Sequence, residues 1–166
     1  MKELFDKISS YNLFNYLLPG ILFVAISKQL TTYNFIQEND FIGAFFYYFI
    51  GMVISRFGSI FIEPILKKLS FLKFADYKDF VSASKKDEKV ELFSEVNNTY
   101  RTIISMLVIL LLLKSYNYFQ VLWNIPQSFT TLTIVILLLL LFLFSYRKQT
   151  NFITKRIDAN NTPNNA

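Results

Sequence analysis

The sequence contains no cysteine and no histidine. These absences exclude disulfides, thiol nucleophiles, Cys/His metal sites and imidazole acid–base chemistry. Charge is scarce as well. Asp, Glu, Lys and Arg make up 17% of the 166 residues, against about 25% in an ordinary soluble domain. Glycine and proline number four each, so few positions can break a helix. A Gly-rich phosphate loop, a G-x-S-x-G turn and the patterns of intramembrane proteases and transferases are all missing. The chain is therefore not expected to be an enzyme, and no cofactor or metal is expected.

What the sequence does have is apolar residues, 53% of the total, in blocks too long for a small water-soluble core. A helix needs about 20 mostly apolar residues to cross the hydrocarbon of a bilayer. Four stretches meet that requirement, at about 9–27, 41–66, 103–123 and 130–146. The purest contains "IVILLLLLFLF". The first carries Pro19-Gly20 at its centre and lacks a small-x-small cleavage site, so it reads as a retained span rather than a signal peptide. The expectation is one all-α membrane domain over residues 1–166. A polar tail, 158–166, has the composition of disorder.

Lysine and arginine give the orientation. The segment between the second and third spans carries Lys67, Lys68, Lys73, Lys78, Lys85, Lys86, Lys89 and Arg101. The region after the fourth carries Arg147, Lys148, Lys155 and Arg156. The other two connections hold Lys28 alone. The positive-inside rule then places both termini and residues 67–102 in the cytoplasm of a multi-pass protein of the cell (inner) membrane. In this setting the net charge of +5 reports topology, and sequence-specific nucleic-acid binding is not expected.

The cytoplasmic segment reads as helical. Leu69, Leu72, Phe74, Tyr77, Phe80 and Val81 suggest an amphipathic helix lying on the membrane surface or packed on its neighbour. Ser84 and Asp87 resemble a capping box. Beyond them one helix is expected from about Lys85 to about Trp123, and Pro64 is expected to bend or end the helix before. Val90, Phe93, Asn97, Tyr100 and Ile104 form a short heptad seam on the longer helix. Either this seam packs on the 69–81 helix of the same chain, or it joins copies around a symmetry axis.

The second span carries two charges. Gly51, Ser55, Ser59 and Glu63 recur every four residues, a stripe of the kind that lets helices approach closely. Arg56 leans toward the bilayer centre, so it is expected to face protein or water, paired with a carbonyl, a hydroxyl or another chain. Glu63 is expected to pair with an interfacial lysine. Lys114 interrupts the third span, and Asn117 and Asn124 continue on roughly its face, which suggests a wet surface or the end of a short span. Ionisable residues in a span are functional candidates by default. The pore or helix-interface candidates are Gly51, Ser55, Arg56, Ser59, Glu63, Lys114 and Asn117. The candidates for cytoplasmic association are Val90, Phe93, Asn97 and Tyr100.

In outline, with a few spans, one helical cytoplasmic module and no catalytic residues, the chain loosely resembles small membrane effectors of bacterial anti-phage defence. A holin-like phage protein has a similar outline. That resemblance implies an assembly that perturbs the inner membrane when a signal releases it. Two functions follow. One is a homo-oligomer that conducts ions or permeabilises the bilayer, gated from the cytoplasm. The other is a membrane-anchored sensor or scaffold whose residues 67–102 bind a protein, a nucleotide or oligonucleotide, or another anionic ligand.

Overall fold

The computed structural model describes residues 13–161, and all their regular structure is helical. We label the helices α1 (Leu13–Leu30), α2 (Asp40–Lys68), α3 (Tyr77–Lys86), α4 (Lys89–Leu122) and α5 (Gln127–Asn161). All but α3 are long and apolar enough to cross a membrane. At 1.5 Å per residue, the 34 residues of α4 extend about 50 Å, well beyond the roughly 30 Å of hydrocarbon.

Several boundaries differ from the sequence expectation. Ser84 does not start α4. It lies inside α3, where its hydroxyl donates to the Val81 carbonyl at 3.2 Å. Asp87 is extended, with φ −140°, and its carboxylate accepts the Lys89 N–H at 2.9 Å. A short acidic side chain on extended backbone caps the first turn better than a serine three residues earlier. The amphipathic helix is also shorter than expected, because residues 69–76 are not helical. The chain turns sharply at the end of α2, where Ser70 adopts φ 57°. Phe71 N–H donates to the Leu66 carbonyl and Ser70 N–H to the Lys67 carbonyl, both at 3.0 Å. This is a Schellman motif with serine where glycine is usual. At the other end, α5 continues helical through Asn161, so the helix takes in residues 158–161 of the polar tail. No helix breaker occurs before Pro163. Residues 162–166 of that tail, and residues 9–12 of the first span, lie outside the described residues.

Pro64 does not end α2. A wide π-helical turn over Gly58–Ile62 precedes it, with Glu63 N–H donating to the Gly58 carbonyl. That turn accommodates the proline ring and its missing donor, and the helix continues to Lys68. The first turn of α1, Leu13–Leu17, is π-helical as well.

The core lies among α1, α2 and α4, where Phe23, Val24, Ile54, Met106 and Leu110 are buried together. The α1–α2 crossing is closest at two glycines. A Cβ on Gly20 would overlap the Tyr47 carbonyl, and one on Gly51 would overlap the Tyr16 carbonyl. A third close approach sets Gly58 of α2 against Ser105 and the Arg101 stem of α4. Successive long helices alternate in direction: Asn15 near the start of α1 meets Thr102 of α4, while Thr32, just past its end, meets Asn117. The fourth long helix, α5, packs on α2 through Phe142 against Phe49, ring centres 6.1 Å apart. It packs on α3 through Phe152 against Tyr77, 5.1 Å apart.

Candidate functional site

The small-residue stripe of α2 meets a different partner at each turn. Gly51 admits the α1 backbone. Ser55 is buried, its Oγ 3.3 Å from Thr102 Oγ1 of α4. That hydroxyl is also 3.0 Å from Asn15 Oδ1 of α1 and 2.9 Å from the Asn98 carbonyl. Thr102 has one proton for these acceptors, and the Ser55 hydroxyl can donate to it in turn. The triangle joins all three core helices, and Asn15 and Thr102 are 1% and 0% exposed. Sequence reasoning missed both. Asn15 stands alone in an apolar run, and Thr102 looks like the edge of a span. Their only signal was a polar residue where a core position fell.

One turn further along the stripe, Ser59 accepts Lys148 of α5, with Nζ 2.6 Å from its carbonyl and 2.8 Å from its hydroxyl. Glu63 follows, and three cations converge on it: Arg101 Nη1 at 2.7 Å, Lys67 Nζ at 3.1 Å and Lys148 Nζ at 3.7 Å. The cluster ties α2 to α4 and α5 at one end of the bundle. Its carboxylate is the most covered member, with the Glu63 side chain 15% exposed. Lys67 also lies over the Phe74 ring, 4.0 Å from its centre, a favourable cation–π arrangement. Arg101 and Lys148 are partners that local sequence could not assign to Glu63, because they sit on other helices.

Arg56 is half-buried and makes no hydrogen bond or ion pair with any described residue. Phe49 and Arg56 are seven residues apart in regular α-helix, nearly on one line, and Phe49 meets Phe142 of α5. Arg56 thus lies toward the α5 side of α2, with no partner there among the described residues. Lys114 is exposed and equally unpaired among the described residues. Asn117 does not extend a wet line from it. Asn117 is buried, its Oδ1 accepting the Thr32 N–H at 2.8 Å and its Nδ2 donating to Thr32 Oγ1 at 3.2 Å. Asn124 serves a local purpose: at φ 49° it closes α4 in a second Schellman turn, with Ile125 N–H on the Gln120 carbonyl at 3.0 Å.

The heptad seam is not covered by α3. Val90 is half-buried, but Phe93 is 66% and Tyr100 62% exposed, and Asn97 is exposed too. Of the two alternatives for this seam, packing on the helix before it is not seen for Phe93, Asn97 or Tyr100; the residue that α3 itself buries is Val81.

At the opposite end of the bundle, the 31–39 connection and the α4–α5 turn enclose a cleft of about 620 Å³ lined by Tyr33, Asn34, Gln120, Asn124 and Gln127 among others. The Tyr33 hydroxyl bonds Gln120, and burial, with a smaller push from Tyr116, raises its pKa above the ordinary phenol value. Tyr116 bonds Thr130 at 2.8 Å. The cleft is polar without being charged, a character that the uncharged "TTYNF" and "QVLWNIPQ" segments hold in their sequence. Among the described residues no group of His, Cys, Asp and Glu could hold a metal ion. Compared with protein-family models, curated proteins and solved structures, the chain matches none.

Proposed function

We propose that the chain is a multi-pass inner-membrane protein, with both termini and α3 in the cytoplasm, whose copies assemble around an ion-conducting or membrane-permeabilising path. The observation that carries this reading is a pair of cations, Arg56 and Lys114, that have no partner among the described residues and lie on helices of membrane-spanning length. Lys114 is 13 residues beyond Arg101, about 20 Å along α4. If the Glu63 cluster marks the inner boundary, Lys114 sits inside the hydrocarbon. An ionised side chain facing lipid there costs about 3 kcal/mol or more. The interior of a single copy is filled by the core and the Asn15–Thr102–Ser55 triangle, so relief must come from outside it. Water between copies supplies that relief, and basic rings favour anions. Release of the path by a cytoplasmic signal accords with the defence effectors that the chain resembles in outline.

The test is reconstitution of wild-type protein and of Arg56→Leu and Lys114→Leu in planar bilayers. Wild type is expected to pass current, and each variant to show reduced anion preference or altered conductance. A strict monomer in mild detergent that passes no ions, with and without cytosolic extract, would sink the proposal.

A second reading has its own observation. Leu92, Phe93, Val96 and Tyr100 are all exposed on the part of α4 that precedes Arg101, beyond the stretch that lipid would cover. A scaffold that docks a cytoplasmic protein there would keep its binding in both leucine variants.

A further inference from the structure

We propose that the Glu63 cluster and the adjoining Lys67–Phe74 turn form a binding site for the phosphodiester headgroup of an anionic phospholipid. The first ground is charge. Among the described residues Glu63 is the one carboxylate within 4.0 Å of three cations, Lys67, Arg101 and Lys148, so these four side chains together carry a net charge of +2. An ion-pair hub that served only to join helices would need one cation, or two.

The second ground is unused donors. Lys148 is committed, with its ammonium on both Ser59 oxygens and near Glu63. Arg101 is not. A guanidinium has five N–H groups, and here a single hydrogen bond, from Nη1 to Glu63, is made to any described residue. Its Nε is buried with no partner among the described residues and is out of a ligand's reach, but the side chain is 21% exposed and its other Nη hydrogens are uncommitted. Lys67 gives one hydrogen bond, to Glu63, and remains 44% exposed. Phosphate oxygens are the acceptors that such a fork and ammonium match best.

The third ground is position. The cluster lies where the apolar stretches of α2 and α4 end, so a lipid phosphate and these side chains share a depth. The turn that follows is built for the same zone: Leu69 is 70% and Phe71 76% exposed, flanked by exposed Lys68 and Lys73. The Schellman turn at Ser70 points the chain away from the helix axis and leaves these side chains unpacked on the protein. Apolar side chains between lysines suit the boundary of headgroups and acyl chains. The occupant is therefore a lipid, with its phosphate on the cations and its upper chains against Leu69 and Phe71. This inference stands whether or not the assembly conducts.

The test is a proximity measurement on the full chain. With the lone tryptophan removed by Trp123→Phe and a reporter introduced by Phe71→Trp, the protein is reconstituted in phosphatidylcholine vesicles. Brominated phosphatidylglycerol or brominated phosphatidylcholine is then added, and the ratio of their quenching curves gives the headgroup preference. The expected result is a clear preference for phosphatidylglycerol, falling roughly fivefold for each cation removed at the surface. Lys67→Gln, in a half-exposed side chain, is the variant least able to disturb the fold, and it should show that fall. Glu63→Gln should raise the preference by a similar factor, because the cluster then carries one more net positive charge. Equal quenching by the two lipids in the otherwise wild-type chain would overturn the proposal. So would a preference that neither Lys67→Gln nor Glu63→Gln alters, which would assign it to the basic surface at large. Displacement of phosphatidylglycerol by millimolar inorganic phosphate would assign the site to a soluble phosphate compound and also overturn it.

Discussion

Gly20 and Gly51 are placed where the α1 and α2 backbones nearly touch, and alanine at either position is expected to push the two helices apart. The added methyl meets a main-chain carbonyl, of Tyr47 or of Tyr16, which has no rotamer by which to move aside. The helices must separate by about 1 Å or more. A gap of that size forfeits a quarter to a half of each dispersion contact it opens, and Phe23, Val24 and Ile54 pack in this core. Overpacking of this kind costs about 1–3 kcal/mol and sometimes more. It is offset by about 1 kcal/mol of helix propensity that alanine gains over glycine. With contact this close to main-chain atoms the cost should fall at the top of that range, leaving a net loss of about 2 kcal/mol for each variant. Because one separation of the helices accommodates both methyls, the double variant should lose clearly less than the sum of the two single losses, as expected for residues that share a backbone shift. Gly43→Ala is the internal control. Its Cβ would sit 3.4 Å from the Tyr47 ring, an ordinary contact with a side chain that can adjust, so it should be neutral or stabilising by up to about 1 kcal/mol. Unfolding in mixed micelles of rising sodium dodecyl sulfate content, followed by circular dichroism, measures all four. If Gly20→Ala and Gly51→Ala match Gly43→Ala, or if their costs add in full, the reasoning fails.

Ser70→Gly should stabilise the protein by about 1 kcal/mol in the same assay, because glycine adopts the left-handed conformation without the Cβ penalty that Ser70 carries. Asn117→Leu should lose about 1–3 kcal/mol, since it strands the Thr32 N–H that Asn117 satisfies, and it should speed proteolysis of the 31–39 connection. Cysteines introduced singly into this cysteine-free chain at exposed Glu38 or Ser128 should react with an impermeant thiol reagent outside intact cells. Cysteines at exposed Ser82 or Asn151 should not react, and the reverse pattern would invert the orientation.

The four long helices were legible because each needs only an unbroken apolar run, and such runs are local. The stripe from Gly51 to Glu63 was legible for the same reason, as a recurrence every four residues. What it touches was not. Tyr16, Thr102, Arg101 and Lys148 lie on other helices, and no spacing within α2 encodes their register. Pro64 was expected to bend or end its helix; the helix does not end there, and the π-helical turn just before it holds Gly58, which packs against α4. Asn117 misled because a polar residue in a span reads the same whether it faces water or a backbone N–H of another segment. The heptad from Val90 to Ile104 was visible as a period, but a period does not say what covers it.

In hydrocarbon there is no hydrophobic force between helices, so close backbone approach and buried polar contacts decide which pairs hold. By that measure the helices of this chain are unequally bound. The α1–α2 pair has its two glycine crossings, and the α2–α4 pair has Gly58 on Ser105 and Ser55 on Thr102. α5 has neither kind of crossing. Its ties are the Tyr116–Thr130 and Gln120–Thr130 bonds beside the turn, the Phe152–Tyr77 contact with α3, the Phe49–Phe142 contact and Lys148 on Ser59 and Glu63. Its apolar stretch is the least buried of the four. Arg56, without a partner among the described residues, lies on the same side of α2, at a level between the last two ties. In the assembly proposed above, exchanging lipid for protein at α5 would disturb few contacts within a copy and bring a neighbour close to Arg56, so α5 and the adjoining side of α2 are the face proposed for contact between copies.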